Sequence, residues 1–566
     1  MKTLNLHCDF IKFKALKKAL KSIEDLAPNQ EQEGEMKDCL VILTAVEKGD
    51  SKKIVPNLIK DIKKISEQLK TKNIVLYPYA HLSKNLSNPK TAIEILNETK
   101  KQLKGFKVIQ APFGYYKSFE LKVKGHPLSE LSREFNIEGN EEKIELSDEE
   151  VKQLLREVSR AKLDTSKIRD NDHRILGSKM NLWSFNNIAP GMVFWHPKGL
   201  HIKNSLQKFW QELHRREKYE EISTPQIMDR KIWEISGHWE KYSENNFKTL
   251  YEKRDFLVKP MNCPGGMLVY KTTPKSYRDL PLRVCELGIV HRVELSGVLS
   301  GLFRVIQFVQ DDAHVFCTEK QLESEIEKII DLIIEIYQTF NLKFDHVELS
   351  TRPEKRIGKD EFWDFSETAL EKVLKKRKMK YKLNKGDGAF YGPKIDFHII
   401  DSQKRTWQSS TIQLDLALPE RFDLIYTDED GNSKRPLMLH RAIFGSLERF
   451  IGVLTEHVNG KFPLWMSPNQ IKIITLNDAA NDYAQKIHDK LFEEGFQVEL
   501  NTKNESMGKK VMEAQVQRFN YILAVGEKEK KRKKVAIKKR DEKEIKEMTL
   551  EEFIEELKTE VRTRKI

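Results

Sequence analysis

The stretch from Val284 to Phe316, VCELGIVHRVELSGVLSGLFRVIQFVQDDAHVF, decides the fold of the central part of this 566-residue chain. Its apolar ends read as strands, and the Gly/Ser-rich segment between them reads as the turn of an antiparallel hairpin. Arg292 and Arg304 bracket that turn, while Glu286 and Glu294 sit on the flanking runs. A guanidinium is planar, stays charged and grips phosphate oxygens in pairs, so such a hairpin suits a phosphate ligand. A surface hairpin with charged rims has the same composition.

Outward from the hairpin, residues 175–467 alternate long amphipathic helices, such as 205–219 (SLQKFWQELHRREKY) and 322–340 (LESEIEKIIDLIIEIYQTF), with extended stretches and Gly/Pro turns. Residues 1–140 alternate β-branched runs, such as 38–46 (DCLVILTAV), with segments of three-and-four apolar spacing, such as 55–70 (VPNLIKDIKKISEQLK). That pattern predicts an α/β or α+β unit. The charged segment 138–150 (EGNEEKIELSDEE) marks its end, and a helical connector is expected over 141–174. After 462–468 (FPLWMSP), residues 468–566 read as strand, helix, strand, helix, strand, strand and helix, which predicts a small, mostly parallel sheet. The fold class is therefore multidomain, α/β and α+β. No short-period repeat is visible, which argues against a solenoid.

Lys+Arg total 99 against Asp+Glu 86, a formal net charge of +13 that favours a polyanionic partner such as nucleic acid. The five cysteines form no CxxC pair and no dense framework, as expected for a reducing compartment, with the cytoplasm as default. No apolar signal region opens the chain, and no run approaches the roughly 20 residues that span a bilayer, so no membrane association is expected.

Several segments resemble class II aminoacyl-tRNA synthetases. The hairpin looks like their motif 2. Residues 437–456 (LMLHRAIFGSLERFIGVLTE) look like motif 3, an apolar strand entering a helix that carries Arg449, and 205–227 resemble motif 1, a long helix running into a strand that contains Pro225. Within the class, 236–242 (SGHWEKY), 259–265 (KPMNCPG), 310–317 (QDDAHVFC) and 388–397 (GAFYGPKIDF) are similar to the threonyl family. The resemblance implies an antiparallel-sheet catalytic core over 175–467. It also implies attack by the threonine carboxylate on ATP, with Mg2+, followed by transfer to tRNA(Thr).

The same resemblance implies residue roles. Arg292 would contact the α-phosphate, and Arg304 and Arg449 the β- and γ-phosphates. Glu294 would meet the adenine amino group and Phe308 would stack on the ring; Gln310, Gln408 and Gln413 would line the substrate and nucleotide pocket, beside Lys394. His238 would serve the transfer step. Cys263, His314 and His440 lie far apart in sequence and lack the short spacing of a zinc site; each alone reads as a packed polar residue. The threonyl family nevertheless holds one zinc ion per subunit on one Cys and two His at these positions. Asp312 would then accept a hydrogen bond from the threonine hydroxyl, with Met261 and Tyr391 completing the pocket.

Serine carries the same amino and hydroxyl groups and is smaller, so a second, hydrolytic sieve is expected. Residues 4–10, 73–83 and 111–133 resemble the editing domain of archaeal threonyl-tRNA synthetases, itself similar to D-aminoacyl-tRNA deacylases; that resemblance assigns His81, Tyr116, Lys117 and Glu130. Residues 468–566 resemble an anticodon-binding domain, in which Glu529 and Lys538 fall at reading positions. The second is more usually Arg, motif 2 reads RVIQF rather than something nearer RVRGF, and the cysteine motif reads CPGG where CPGH is commoner. Motif 1 in this family builds a symmetric interface, so a homodimer is expected.

Overall fold

The computed structural model describes residues 1–20, 23, 32–83, 85–135, 168–241 and 246–564. Most of the expected connector and the charged segment before it lie outside the described residues. The chain divides into two compact units, 1–149 and 150–566.

The first unit is built on the strand Lys2–Lys18, which pairs antiparallel with Glu33–Ala45, Tyr115–Val123 and Glu130–Glu134. Parallel pairing then extends the sheet from Glu33–Ala45 through Asn73–Pro78 to Lys107–Gln110. The run 39–43 is apolar throughout because it is covered on both faces: Leu40 and Ile42 enter one core, Cys39, Val41 and Leu43 the other. Helix Val55–Leu69 buries Leu58, Ile62 and Ile65, the expected stripe, and ends where Lys70 takes a left-handed φ of 55°.

The second unit centres on an eight-stranded sheet in the order Lys382–Asn384, Lys343–Ser350, Lys394–Ile400, Thr406–Asp415, Leu437–Ala442, Gln307–Cys317, Leu282–His291, Glu220–Glu221. Only the two edge pairings are parallel. The hairpin register sets Glu286 opposite Asp312, Gly288 opposite Gln310 and Val290 opposite Phe308. Helices Pro197–Arg216, Glu319–Thr339 and Leu447–His457 supply apolar stripes to its core, including Trp210, Ile330, Ile333 and Phe450.

Three expectations are corrected. Glu294 lies in the loop between the hairpin strands, beyond the last ladder pair at His291 and Gln307. Pro225 falls between the short strands Glu220–Glu221 and Ile227–Asp229, because a residue without an N–H interrupts the ladder. The C-terminal sheet, ordered Val498–Asn501, Ile471–Thr475, Tyr521–Val525, Val535–Lys539, Ile545–Met548, has two parallel and two antiparallel pairings. Only the six-residue helix Glu527–Arg532 separates the third strand from the fourth, too short a connection for a parallel crossover.

Candidate active site

Cys263, His314 and His440 converge: each is buried, and one donor atom from each lies within 4.8 Å of the others. Cross-strand register explains the two histidines, since His314 pairs directly with His440 and so projects from the same sheet face. Their rings meet edge-on at 4.9 Å. Cys263 comes from elsewhere, as the first residue of helix Cys263–Tyr270, following Asn262. The Asn262 amide donates to the Asp312 carboxylate at 3.2 Å. A Cβ at position 288 would come 2.1 Å from Asn262 Oδ1, so the hairpin strand needs glycine where this helix begins.

Electrostatics suit a cation among these groups. Burial pushes the His314 imidazole down to about 4, so it is neutral at physiological pH and has a lone pair to offer, and its Nε2 is buried without a hydrogen-bond partner. His440 Nε2 lies 2.8 Å from Asp415, a buried carboxylate also held by the backbone N–H groups of Ala417 and Leu418. That contact leaves Nδ1 as the lone-pair nitrogen of His440. Burial pushes the Cys263 thiol well up, a shift that a neighbouring metal cation would reverse.

Beside this cluster is a cavity of about 250 Å³ lined by Arg292, Glu294, Arg304, Phe308, Gln310, Gln408 and Arg449. The Arg292 guanidinium lies over the Phe308 ring at 5.2 Å and donates to the Pro260 carbonyl at 3.2 Å. Arg304 donates to Glu294 at 3.0 Å, and Arg449 to the Phe303 carbonyl at 3.0 Å. Arg449 still reaches solvent, yet desolvation in the cavity and the like charges of Arg304 and Arg292 lower its pKa. Three guanidiniums against one carboxylate make a site for a polyanion, and Gln310 Oε1 is buried there without a partner.

The remaining expected residues surround these two centres. Tyr391 donates to Gln413 at 2.7 Å, and its ring lies 4.9 Å from that of His440. Met261 Sδ is 3.2 Å from Arg292 Nη2. His238 is buried, lies 2.8 Å from Ser236 Oγ, and is pushed down to about 3, chiefly by burial. Lys394 is absent from the lining of the cavity. Its ammonium pairs with Asp387 and Asp396 at 3.0 Å each, and Asp396 in turn accepts from Gln408 and Thr411.

Sequence reading missed the residues that hold these groups in place. His173 is buried with Nδ1 2.7 Å from Glu456, and its Nε2 accepts the Leu302 N–H at 2.9 Å, which anchors the loop between Arg292 and Arg304. Asp415, Asp396 and Asn262 belong to the same group. No local spacing marks them, because each acts through a partner distant in sequence.

In the first unit, a cavity of about 560 Å³ is lined by His81, Tyr116 and Lys117 with Tyr77, Tyr79 and Thr44. Lys117 donates to the carbonyls of Pro112 and Tyr115 and lies over the Tyr77 ring at 5.0 Å; burial pushes it down to about 8. Glu130 is not among the residues that line this cavity: it is exposed on Glu130–Glu134, paired with Leu6 at the end of the strand ladder. In the C-terminal region, Glu529 accepts the Gly526 N–H at 2.9 Å and so caps its own helix, while Lys538 pairs with Ile522 and Ile545 within the sheet.

Comparison with known proteins accounts for all three regions. Residues 1–135 match the archaea-specific editing domain of threonyl-tRNA synthetase, 247–458 the class II tRNA synthetase core domain, and 470–560 an anticodon-binding domain. The threonine–tRNA ligase of Carboxydothermus hydrogenoformans is 50% identical over 397 residues, 70% of this chain and 62% of that protein. The corresponding ligase of Caldanaerobacter subterraneus is 49% identical over 396 residues, 70% of this chain and 61% of that one. The chain thus spans about three fifths of the length of these curated relatives. A crystal structure described as the RNA binding domain of threonyl-tRNA synthetase from Cryptosporidium parvum is 40% identical and superposes with a TM-score of 0.67, covering 69% of this chain and 98% of that one. With an archaeal-type editing domain, a class II core and an anticodon-binding domain in succession, the chain belongs to the threonyl-tRNA synthetase family.

Proposed function

We propose that the chain joins threonine to ATP as threonyl-adenylate, transfers the threonyl group to tRNA(Thr), and hydrolyses Ser-tRNA(Thr) in its first unit. The observation that carries this reading is the juxtaposition of the Cys263, His314 and His440 cluster with the three-arginine cavity. The matched families support a division into an editing domain over 1–140, a catalytic domain over 175–467 and an anticodon-binding domain over 468–566, with 141–174 connecting. Among the described residues no helix is long and apolar enough to cross a membrane. We take the enzyme to be cytoplasmic from the cysteine usage of its sequence. We also take the enzyme to be a homodimer through motif 1.

In this reading Arg292 neutralises the α-phosphate as the threonine carboxylate attacks it, and pyrophosphate leaves toward Arg304 and Arg449. Phe308 and Glu294 hold adenine, and Mg2+ travels with ATP. Positioning and charge neutralisation provide most of the rate, since no covalent nucleophile is needed. Cys263, His314 and His440 would hold zinc, and the ion supplies a Lewis-acidic position open to the amino and hydroxyl groups of threonine. Asp312 accepts from that hydroxyl, while Tyr391 and Met261 enclose the side chain. His238, neutral by virtue of burial, is the residue available to the transfer step. The test is threonine-dependent exchange of pyrophosphate into ATP. Arg292→Ala is expected to lower it about a hundred- to a thousandfold, and exchange unchanged by the substitution would contradict the assignment.

Two smaller effects follow from the same geometry. His173→Ala leaves the Leu302 N–H without its acceptor in a buried place, while Glu456 keeps the backbone N–H at position 173, Gln403 and Arg405. That loss costs about 1–3 kcal/mol, so kcat/KM for ATP should fall by about tenfold or more, with KM for threonine little changed. Equal losses for both substrates would mean a general collapse of the fold instead. For editing, Lys117 titrates near 8 rather than in the ordinary lysine range. Its ammonium is lost as pH rises through that value. Enzymatic Ser-tRNA(Thr) hydrolysis, corrected for the uncatalysed rate, should therefore decline above pH 8, and Lys117→Met should abolish the decline together with most of the rate. A rate flat to pH 10 would remove Lys117 from the reaction.

A further inference from the structure

A second cluster of metal-ligating side chains lies on strands Lys343–Ser350 and Lys394–Ile400. His346, Glu348 and His398 each offer a donor atom, all within 4.8 Å of one another. His346 and Glu348 are two residues apart on one strand, and His398 is the direct cross-strand partner of His346, so all three project from one face. The two imidazoles stack nearly parallel at 4.3 Å, so one ring must turn out of the stack for both Nε2 lone pairs to reach one ion. The ladder is irregular beside each histidine, between Phe344 and His346 and between Phe397 and His398. Such irregularities re-aim side chains.

Hydrogen bonding around the three points to a cation. His346 Nδ1 lies 2.7 Å from the Asp345 carboxylate, which holds the proton on that nitrogen and turns the Nε2 lone pair toward Glu348 Oε1 at 3.1 Å. His398 Nε2 faces the other carboxylate oxygen at 3.7 Å, is buried, and makes no hydrogen bond. Asn384 Nδ2 donates to Glu348 Oε2 at 3.0 Å and fixes the carboxylate. A proton between His346 and Glu348 satisfies one of these lone-pair contacts, whereas a metal ion satisfies all three groups at once. His346 Nε2 lies 3.1 Å from one Glu348 oxygen and His398 Nε2 3.7 Å from the other, with one donor atom from each residue within 4.8 Å of the rest, close enough for a small rearrangement to bring all three to one ion. The side chains are only partly buried, leaving a path for the ion.

We propose that His346, Glu348 and His398 form a second site for a first-row transition ion of the zinc class, distinct from the Cys263 cluster. The two-imidazole, one-carboxylate set excludes calcium and magnesium, which take oxygen ligands. The ion ties strand Lys343–Ser350 to the strand that carries Lys394 and Asp396.

The test uses the full-length chain, stripped with a chelator and titrated with cobalt(II), which takes the same ligands as zinc and reports a thiolate ligand by an intense near-ultraviolet band. The protein should bind two equivalents, only one with that band. Cys263→Ser should retain the equivalent that lacks the band. His346→Gln, His398→Gln and the isosteric Glu348→Gln should each lose that equivalent and keep the other. Binding confined to the thiolate-band equivalent in the native chain overturns this inference and leaves the adenylation reading intact. Persistence of the second equivalent in all three variants also overturns it. Loss of the thiolate band alone removes the first zinc assignment and leaves this one standing.

Discussion

Cys263→Ser is expected to lower threonine-dependent pyrophosphate exchange by about a thousandfold or more, equivalent to about 4 kcal/mol of lost transition-state binding, with ATP binding retained. The oxygen of serine is a poor ligand for a zinc-class ion, and with Cys263 gone only the two imidazoles of this cluster remain. The arginine cavity is lined by the hairpin loop, the strands Gln307–Cys317, Thr406–Asp415 and Leu437–Ala442 and the helix Leu447–His457, and neither Cys263 nor its helix lines it, so nucleotide binding should survive. Specificity carries the sharper consequence. Threonine and valine are nearly isosteric, and a purely apolar pocket separates such a pair only about a hundredfold. A site that takes the hydroxyl as a ligand rejects valine much more strongly, so residual activity in Cys263→Ser should discriminate poorly between the two. Exchange assays with both amino acids, run beside metal analysis, check this. Full activity in a variant that has lost its metal would sink the assignment.

The arginines and the three candidate metal-binding residues were legible because short motifs carry them: Arg292 and Arg304 bracket a visible turn, and Cys263, His314 and His440 each sit in a recognisable segment. What brings them together was not legible. His314 meets His440 because two strands separated by more than a hundred residues pair in one register, and a shift of one residue would turn either ring to the opposite face. The same holds for the groups that orient them. Asp415 looks like any strand-end carboxylate until His440 lies 2.8 Å away, and His173 sits in a short helix whose partners Glu456 and Leu302 are remote. In the C-terminal region the strand sequence was readable while direction was not, since direction depends on the length of the connection rather than on the apolar run. Glu130 lies in a matching segment but is exposed on its strand and is not among the residues that line the cavity of His81, Tyr116 and Lys117, a placement that the motif alone does not give.

Asp311→Ala is expected to destabilise the catalytic core by about 3–5 kcal/mol, the usual cost of leaving one partner of a buried ion pair uncompensated. Asp311 and Arg441 are both buried, and their contact measures 2.9 Å. The same carboxylate accepts Trp210 Nε1 at 2.6 Å and the backbone N–H groups of Ile443 and Phe444 at 2.9 and 2.8 Å. It therefore joins three segments that are remote in sequence: the helix Pro197–Arg216, the hairpin strand Gln307–Cys317 and the chain leaving the strand Leu437–Ala442. Arg441 also stacks over the Tyr219 ring at 4.7 Å, so truncating Asp311 strands a guanidinium that has no route to water. Ile443 and Phe444 lead directly into the helix that bears Arg449, so pyrophosphate exchange should fall with stability. A double variant, Asp311→Leu with Arg441→Met, removes both charges together and should recover part of the loss, because well-packed apolar groups often replace a buried ion pair at little cost. Urea unfolding of the single and double variants measures this. A loss under about 1 kcal/mol in Asp311→Ala would mean that water reaches Arg441 and that the three segments are held by apolar packing alone.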